Sequence, residues 1–585
     1  MGDSFSATPM NHVPPRGRSP AAWIGLLLWM LVGTGLRLWG LADKPLWTDE
    51  FATLVFSLGH SFQTVPLNQV ISLDALLAPV QQPPNSASQV ITNLLSESNH
   101  PPLYFVLTHL WLRLWTGLGG QSTLVVGVRS LSVLFGVLAI PATYSLAWMA
   151  SRSQRVAHFA AGLMTLSPFA VYLSQEARHY TLPILWILAS LALWLQAVRS
   201  LQGQHRFTIP EVAAWISVNT LGIATHYFFT LTLLAEAIAL LIVAIAWRSN
   251  LQRSALWRIL AAIVGTAAGG AVWLPWLLGA HDSELTRWIY QGDRSGLGWL
   301  DPLGQAIAGW ITMLYLLPIQ AASTAVVIGS ALGLVGLTIW TIWLLGSSRS
   351  GLVQGRGTAT PAHPPSSGQA FVLLVAIAVL IFLGITYGLG MDLTSAFRYN
   401  FVYFPAVLVA IAIWVEQSDR PVTRWGLSRP ALMMLMAALL GSLTVVTNLG
   451  YQKTHRPDRV VDAIYAQVPA QAPAPETLVA IAHRTHGQTG RLMAIAWDIQ
   501  ERYPVSATGR PAPQFLLAHQ QQPIDAANRL DDVLSDRPRP LQLWLINMQT
   551  VPPRRLEAVL DDQTCLPIQD AASVDGYRYQ PFECR

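Results

Sequence analysis

The chain has 585 residues, of which 52% are apolar and only 11% charged, with a formal net charge of +5. Soluble domains carry charge on about a quarter of their residues, so this composition excludes a soluble globular protein. No nucleic-acid partner is expected, and a polytopic membrane protein remains.

Residues 1–20 form a polar tail containing Arg16 and Arg18. It has no small-residue cleavage site before the first apolar run, which therefore reads as an anchor rather than a signal peptide. Runs long enough to cross ~30 Å of hydrocarbon then recur through residues 21–449. They are Ala21–Leu41, Val128–Ala150, Val156–Leu173, Thr181–Val198, Ile209–Thr225, Phe228–Trp247, Ile259–Ala280, Ser323–Leu345, Phe371–Leu389, Asn400–Val415 and Ala431–Leu449. Pro101–Thr116 carries His109 and Arg113, read as structural residues, and is barely long enough to span; it reads as a re-entrant or surface helix. Pro302–Leu317 reads as a second partial segment. About eleven full crossings follow.

Arginine placement sets the orientation. Arg16 and Arg18 put the N-terminus in the cytoplasm, and the connections with Arg152/Arg155, Arg199/Arg206, Arg248/Arg253/Arg258, Arg349/Arg356 and Arg420/Arg424/Arg429 alternate in step. An odd number of crossings leaves the C-terminal segment outside. Residues 42–99 become the first outer loop, and Ser347–Gly368, rich in Gly, Ser and Pro, a cytoplasmic linker. Residues 450–585 are polar and of domain size. Their runs "TLVAIAH", "PQFLLAH" and "LQLWLINM", between helix-compatible stretches, predict a small extracytoplasmic α/β domain. Both cysteines, Cys565 and Cys584, lie in it. An outward segment favours a disulfide between them, with two free buried thiols as the alternative.

Polar residues gather at the outer ends of the runs. "LWTDEF" places Asp49 and Glu50 in the first turn of a helix whose apolar residues Trp47, Phe51, Leu54, Val55 and Leu58 recur at helical spacing. Thr48 is its expected N-cap, and the helix is expected to lie on the outer membrane surface. "SNHPPLY" brings His100 and Tyr104. "LSQEARHY" brings Gln175, Glu176, Arg178, His179 and Tyr180; "THYFF" brings His226 and Tyr227; "SAFRYNF" brings Arg398 and Tyr399. Each group has a plain structural reading. Acids complement a helix dipole, Arg178 pairs with Glu176, His100 caps a helix, His226 and Tyr227 join an aromatic belt, and Arg398 snorkels. Ionisable groups near lipid are costly unless paired or used, so convergence of all of them on one face points to a site.

The order "TDE", "HPPLYF", "LSPFAVYLSQEARHY", "THYF", "FRYNFVYFP" resembles the GT-C superfamily. Within it the chain resembles the membrane glycosyltransferases related to protein O-mannosyltransferases and the lipid A aminoarabinose transferase. The resemblance covers roughly Ala21 to Leu449. It implies an all-α, GT-C-like membrane domain that transfers a sugar from a polyprenyl-phosphate carrier to a lipid, glycan or protein acceptor on the extracytoplasmic face. By that resemblance Asp49 is the general base and Glu176 lies in the second outer-loop position that holds an acidic residue in relatives; Glu50, beside Asp49, is grouped with them as a catalytic candidate. Some relatives bind a divalent metal through loop residues, for which His100 and His226 are candidates. Many relatives need none, and no metal-ligand spacing is present here, so no metal is expected.

The chemistry agrees. Inverting transfer passes through an oxocarbenium-like state and needs a carboxylate to take the acceptor's proton. Arg178 and Arg398 suit the departing phosphate, and His100, Tyr104, His179, Tyr180, His226, Tyr227 and Tyr399 surround the donor. No Gly-rich nucleotide loop appears. The rival reading is a transporter or flippase of lipid-linked sugars, which calls for charges near the bilayer midplane and internal repeats; neither is apparent in the sequence.

Overall fold

The computed structural model describes residues 20–117, 124–246, 252–279, 284–347 (except 291, 293 and 294), 366–416, 426–467, 475–506 (except 505) and 511–585. The N-terminal tail and the 347–368 linker lie outside these, apart from their edges, as do Arg248, Arg349, Arg356, Arg420 and Arg424 of the orientation argument.

Helix α1 (Pro20–Leu38) leads into the first loop, which holds α2 (Thr48–Ser57), the short strand β1 (Val70–Ile71), α3 (Leu73–Gln81) and α4 (Ala87–Glu97). α5 (Leu103–Gly117) precedes α6 (Leu124–Ser151), then come α7 (Gln154–Leu166), α8 (Pro168–Ser174), α9 (Thr181–Leu201), α10 (Ile209–Thr225), α11 (Phe229–Ala246) and α12 (Arg253–Ala271). The bundle continues through α13 (Leu274–Gly279), α14 (Asp301–Leu314), α15 (Thr324–Ser347), α16 (Ser367–Gly388), α17 (Phe404–Glu416) and α18 (Arg429–Val446).

Eight of these helices are long and apolar enough to cross a membrane, and the bent pair α7–α8 makes a ninth. The chain is a multi-pass membrane protein. The other two expected crossings, α10 and α17, are helices of 17 and 13 residues. α17 is largely buried in protein, which is where a helix too short to span is tolerated. α5 and α14, with 15 and 14 residues, reach only ~22 Å, short of a full crossing. The 54° bend between α7 and α8 falls at Pro168, which has no amide hydrogen to continue the ladder. Arg37 of α1, fully buried, donates to the carbonyls of Met164 and Thr165 near this break and to Ser174 Oγ.

After α19 (Pro457–Ala466) the chain forms β2 (Glu476–His483), α20 (His486–Arg502), β3 (Gln514–His519), α21 (Asp525–Ser535), β4 (Leu541–Ile546), α22 (Pro553–Asp562), β5 (Cys565–Pro567), β6 (Ala572–Val574) and β7 (Tyr577–Cys584). The strand order is β1-β3-β2-β4-β7-β5, with β6 on β7. β2 is parallel to both β3 and β4; β1 and β7 are antiparallel edges of that core. The three predicted strand segments are therefore the parallel core of an α/β sheet. Alternation sorts its side chains: Val479, Ile481 and Phe515 face the first loop and α20, while Leu478, Ala480 and Leu516 face α21 and α22. Cys565 and Cys584 are register partners joined by a disulfide.

The first loop is part of this assembly. β1 adds an edge strand to β3, and Phe51 of α2 packs edge-on against Trp497 of α20. The apolar stripe of α2 is thus buried under α20 and does not lie on lipid: Trp47, Phe51, Leu54 and Val55 are all at most 1% exposed. Its N-cap is Trp47, one residue earlier than expected, and no side chain caps it. Thr48 instead shares a hydrogen bond with His455 (2.7 Å).

Candidate active site

The two adjacent acids of α2 part company because a helix turns ~100° per residue. Glu50 points inward and is completely buried. Its carboxylate accepts two hydrogen bonds from Arg129, each 2.8 Å, and one from the Ala177 amide (2.8 Å). Lys453 Nζ lies 3.4 Å from Glu50 and donates to Glu176 Oε1 at 3.1 Å. Burial alone would raise the Glu50 pKa, but Arg129, Lys453 and the Ala177 amide outweigh it and hold the acid ionised. Arg129 also ties down the carbonyls of Leu41 and Lys44. Glu50 and Glu176 thus differ from their expected catalytic roles: both carboxylates are fully buried in an ion-pair network that pins α2 to the bundle.

Asp49 points the other way. Its carboxylate is 30% exposed and sits 3.6 Å from Arg178 and 3.9 Å from Arg398. Burial would raise its pKa; the guanidiniums of Arg178 and Arg398 reverse this and lower it. Arg178 therefore pairs with Asp49, not with its neighbour Glu176. It also donates to the Asp49 carbonyl (3.1 Å) and reaches His100 Nε2 (3.2 Å). Since a guanidinium only donates, His100 accepts at Nε2 and its Nδ1 hydrogen faces Ser98 Oγ (3.1 Å). Arg398 is enclosed by aromatic faces: Trp47, Trp288 and Tyr399 stand 5.3, 6.0 and 5.7 Å from its guanidinium carbon.

An arc of imidazoles follows. His179 lies between His100 and His226, with ring centroids 5.3 and 4.5 Å away. Burial first, then neighbouring guanidiniums and imidazoles, pushes all three below the usual histidine range, His100 to about 3. Tyr180 packs against His179, His226 and Arg178, and Tyr399 against His226 and Phe228. Tyr104 is buried, its hydroxyl at 3.0 Å from Ser132 Oγ, which in turn donates to the Arg178 carbonyl. It therefore supports Arg178 from behind, away from the open cleft. Tyr227 lines a separate apolar cavity of about 500 Å3 between α10, α11 and α12.

The imidazole arc does not fit a cation. Among the described residues no group of three or more His, Cys, Asp and Glu is placed to hold a metal ion. His100 Nε2 already faces Arg178, and two guanidiniums oppose a further positive charge there.

No protein-family model and no curated protein sequence matches this chain. Among solved structures, the chain is similar to ArnT from Cupriavidus metallidurans. Two crystal structures of ArnT, one bound to undecaprenyl phosphate and one in the apo state, each align over 96% of this chain and 98% of that one. Identity is 15% and the TM-score 0.37 in both, too distant to assign a role to any residue.

Several site residues escape the sequence reading. Arg129 sits in an apolar run, and a charge there was the signal that it had a buried partner. Lys453 and His455, in "YQKTHR", follow the last run and read as the start of a tail. Trp47 reads only as part of the apolar stripe of α2, and nothing in the sequence singles out Trp288. Glu236, midway along α11 and buried, also corrects the expectation that charge is confined to one end: its Oε2 accepts from Ser190 Oγ (2.9 Å).

Proposed function

We propose that this protein is a GT-C-type membrane glycosyltransferase that uses a polyprenyl-phosphate-linked sugar, with Asp49 as general base and the site on the extracytoplasmic face. The observation that supports this most is one half-open carboxylate flanked by two guanidiniums, Arg178 and Arg398, at one end of a membrane bundle. The donor phosphate takes the two arginines, as guanidinium and phosphate oxygens pair in a two-pronged manner. Drawing them from Asp49 raises the basicity of that carboxylate at the moment the donor is in place.

In the transfer step the acceptor's O–H bond breaks and its proton goes to Asp49. The acceptor oxygen bonds to the anomeric carbon from the face opposite the leaving group. The bond from that carbon to the phosphate oxygen breaks, and the electron pair leaves on the phosphate, held by Arg178 and Arg398. His179, Tyr180, His226 and Tyr399 pack beside the arginines and shape the sugar subsite. The acceptor is a lipid, glycan or protein of the cell envelope.

The test is release of polyprenyl phosphate. Purified full-length protein, given a polyprenyl-phosphate sugar and an envelope extract, is expected to release the free carrier and to label an acceptor. Movement of intact donor across liposomes without release identifies a flippase and overturns the reading. Mass spectrometry of envelope lipids, glycans and glycoproteins from a deletion strain identifies the acceptor.

A further inference from the structure

The parallel strands stand β3-β2-β4 in space, but the chain makes them in the order β2, β3, β4. It leaves β2 for one neighbour and returns to the other, so the carboxyl ends of β2 and β4 flank a switch point. Open α/β sheets bind ligands in the crevice at such a point. A cavity of about 410 Å3 lies there, lined among others by Arg484 after β2, Gln488 and Arg491 of α20, Thr550 after β4 and Arg578 of β7.

The charge of this cavity is one-sided. Among the described residues, none of Arg484, Arg491 and Arg578 forms an ion pair with a carboxylate. Arg484 faces the side-chain amide of Gln520, whose oxygen stands 2.6 Å from Arg484 Nε once that amide is turned over to satisfy its neighbours, and Arg491 Nη2 meets His455 Nε2 at 3.5 Å. Three guanidiniums around one concavity repel each other unless an anion joins them. The positive end of α20 adds to the same field.

The cavity shares a wall with the Asp49 cleft. The Tyr577 hydroxyl donates to the Arg491 carbonyl (3.2 Å). Gly576, with φ +78°, turns β6 into β7 directly against His455, where any Cβ would strike the imidazole. His455 in turn shares its hydrogen bond with Thr48, the residue before Asp49.

We propose that this cavity binds a phosphate or carboxylate group carried by the acceptor, holding it next to the Asp49 cleft. The proposal rests on the transferase reading for the acceptor's role, while anion binding itself is measured without any transfer. Full-length protein in an uncharged detergent is titrated calorimetrically with glucose 1-phosphate, inorganic phosphate and glucose. Saturable binding of glucose 1-phosphate, tighter than that of inorganic phosphate and absent for glucose, is expected. Arg484→Gln and Arg578→Gln should each weaken it roughly 10-fold, since a charge-assisted hydrogen bond is lost. The Arg484→Lys/Arg578→Lys protein, which keeps the charge and the fold, should lose less than the Gln pair. The component of binding removed by Arg484→Gln and Arg578→Gln should persist in Asp49→Asn, whatever that variant binds at Arg178 and Arg398, so a failed transferase reading leaves this result standing, and the reverse. Equal binding of inorganic phosphate and glucose 1-phosphate overturns the acceptor assignment. No saturable binding, or binding indifferent to both Gln substitutions, overturns the site.

Discussion

Asp49 and Glu50 share a helical turn, yet one is half-open between arginines and the other is sealed against Arg129 and Lys453. Glu50→Gln leaves two buried cations facing a neutral amide, and breaking a buried pair in this way costs about 3–5 kcal/mol. A large drop in melting temperature is expected, with activity lost through unfolding; an unchanged melting curve contradicts the structural role. The acidic limb of kcat/KM reports the Asp49 of the free protein. Because Asp49 titrates below its ordinary value of 3.8, activity should stay flat as pH falls from 7 through the ordinary carboxylate range. Arg398→Gln removes one of the lowering charges, so its acidic limb should move to higher pH. Lys44 gives a third test. Burial first, then Lys453, holds it down to about 7 against 10.5 in the unfolded chain. Between those values the unfolded state binds the extra proton, so stability should rise with pH from 7 toward 10. Melting temperatures at pH 7 and 9 check this, and in Lys44→Met the increment should shrink. Asp49, Arg178 and Arg398 were legible because each lies beside a run end. The partners of Glu50 were not, since Arg129 is 79 residues away and Lys453 lies beyond the last run.

The helix α2 illustrates what element-level patterns reveal. The spacing of Trp47, Phe51, Leu54 and Val55 identified a helix with one apolar stripe, correctly. Periodicity says that such a stripe is covered, not by what, and here α20 covers it instead of lipid. The two-residue β1 carries no alternation to detect, so its pairing with β3 was invisible. The contact of α2 with α20 depends on Gly490: a Cβ there would stand 3.1 Å from Thr48 Cγ2 and 3.3 Å from the Thr48 carbonyl oxygen. Gly490→Ala gains up to ~1 kcal/mol of helix propensity but overpacks the contact, which typically costs 1–3 kcal/mol. The expected net effect is a modest loss of stability with a larger loss of transfer, since α2 carries Asp49. A stabilised, fully active Gly490→Ala protein would show that the two helices are free to separate.

For the molecule as a whole, all eleven apolar runs became helices, because a bilayer demands long apolar segments and the sequence cannot disguise them. The first loop, the 175–180 turn, His226, Arg398 and the sheet all meet at one end of the bundle, as a common side of the membrane requires. We place that end outside the cytoplasm on the arginine pattern. Arg554, exposed on α22, is suited to a cysteine reporter. An Arg554→Cys protein in intact cells should react with an impermeant maleimide; reaction only after permeabilisation would reverse the orientation. What the sequence concealed was the closure between distant segments, such as Lys453 on Glu176 and β1 on β3, which only tertiary packing creates.

The most direct test of the proposed catalysis is the transfer rate of Asp49→Asn in the same full-length preparation. Asn keeps the shape of Asp and still accepts a hydrogen bond, but it takes no proton at neutral pH. A loss of ~10²–10⁴-fold is expected, because a lost general base costs that much, while the melting temperature should fall less than in Glu50→Gln, because Asp49 is 30% exposed and water reaches the arginines it leaves. A folded Asp49→Asn protein that transfers sugar at near wild-type rate would contradict the account.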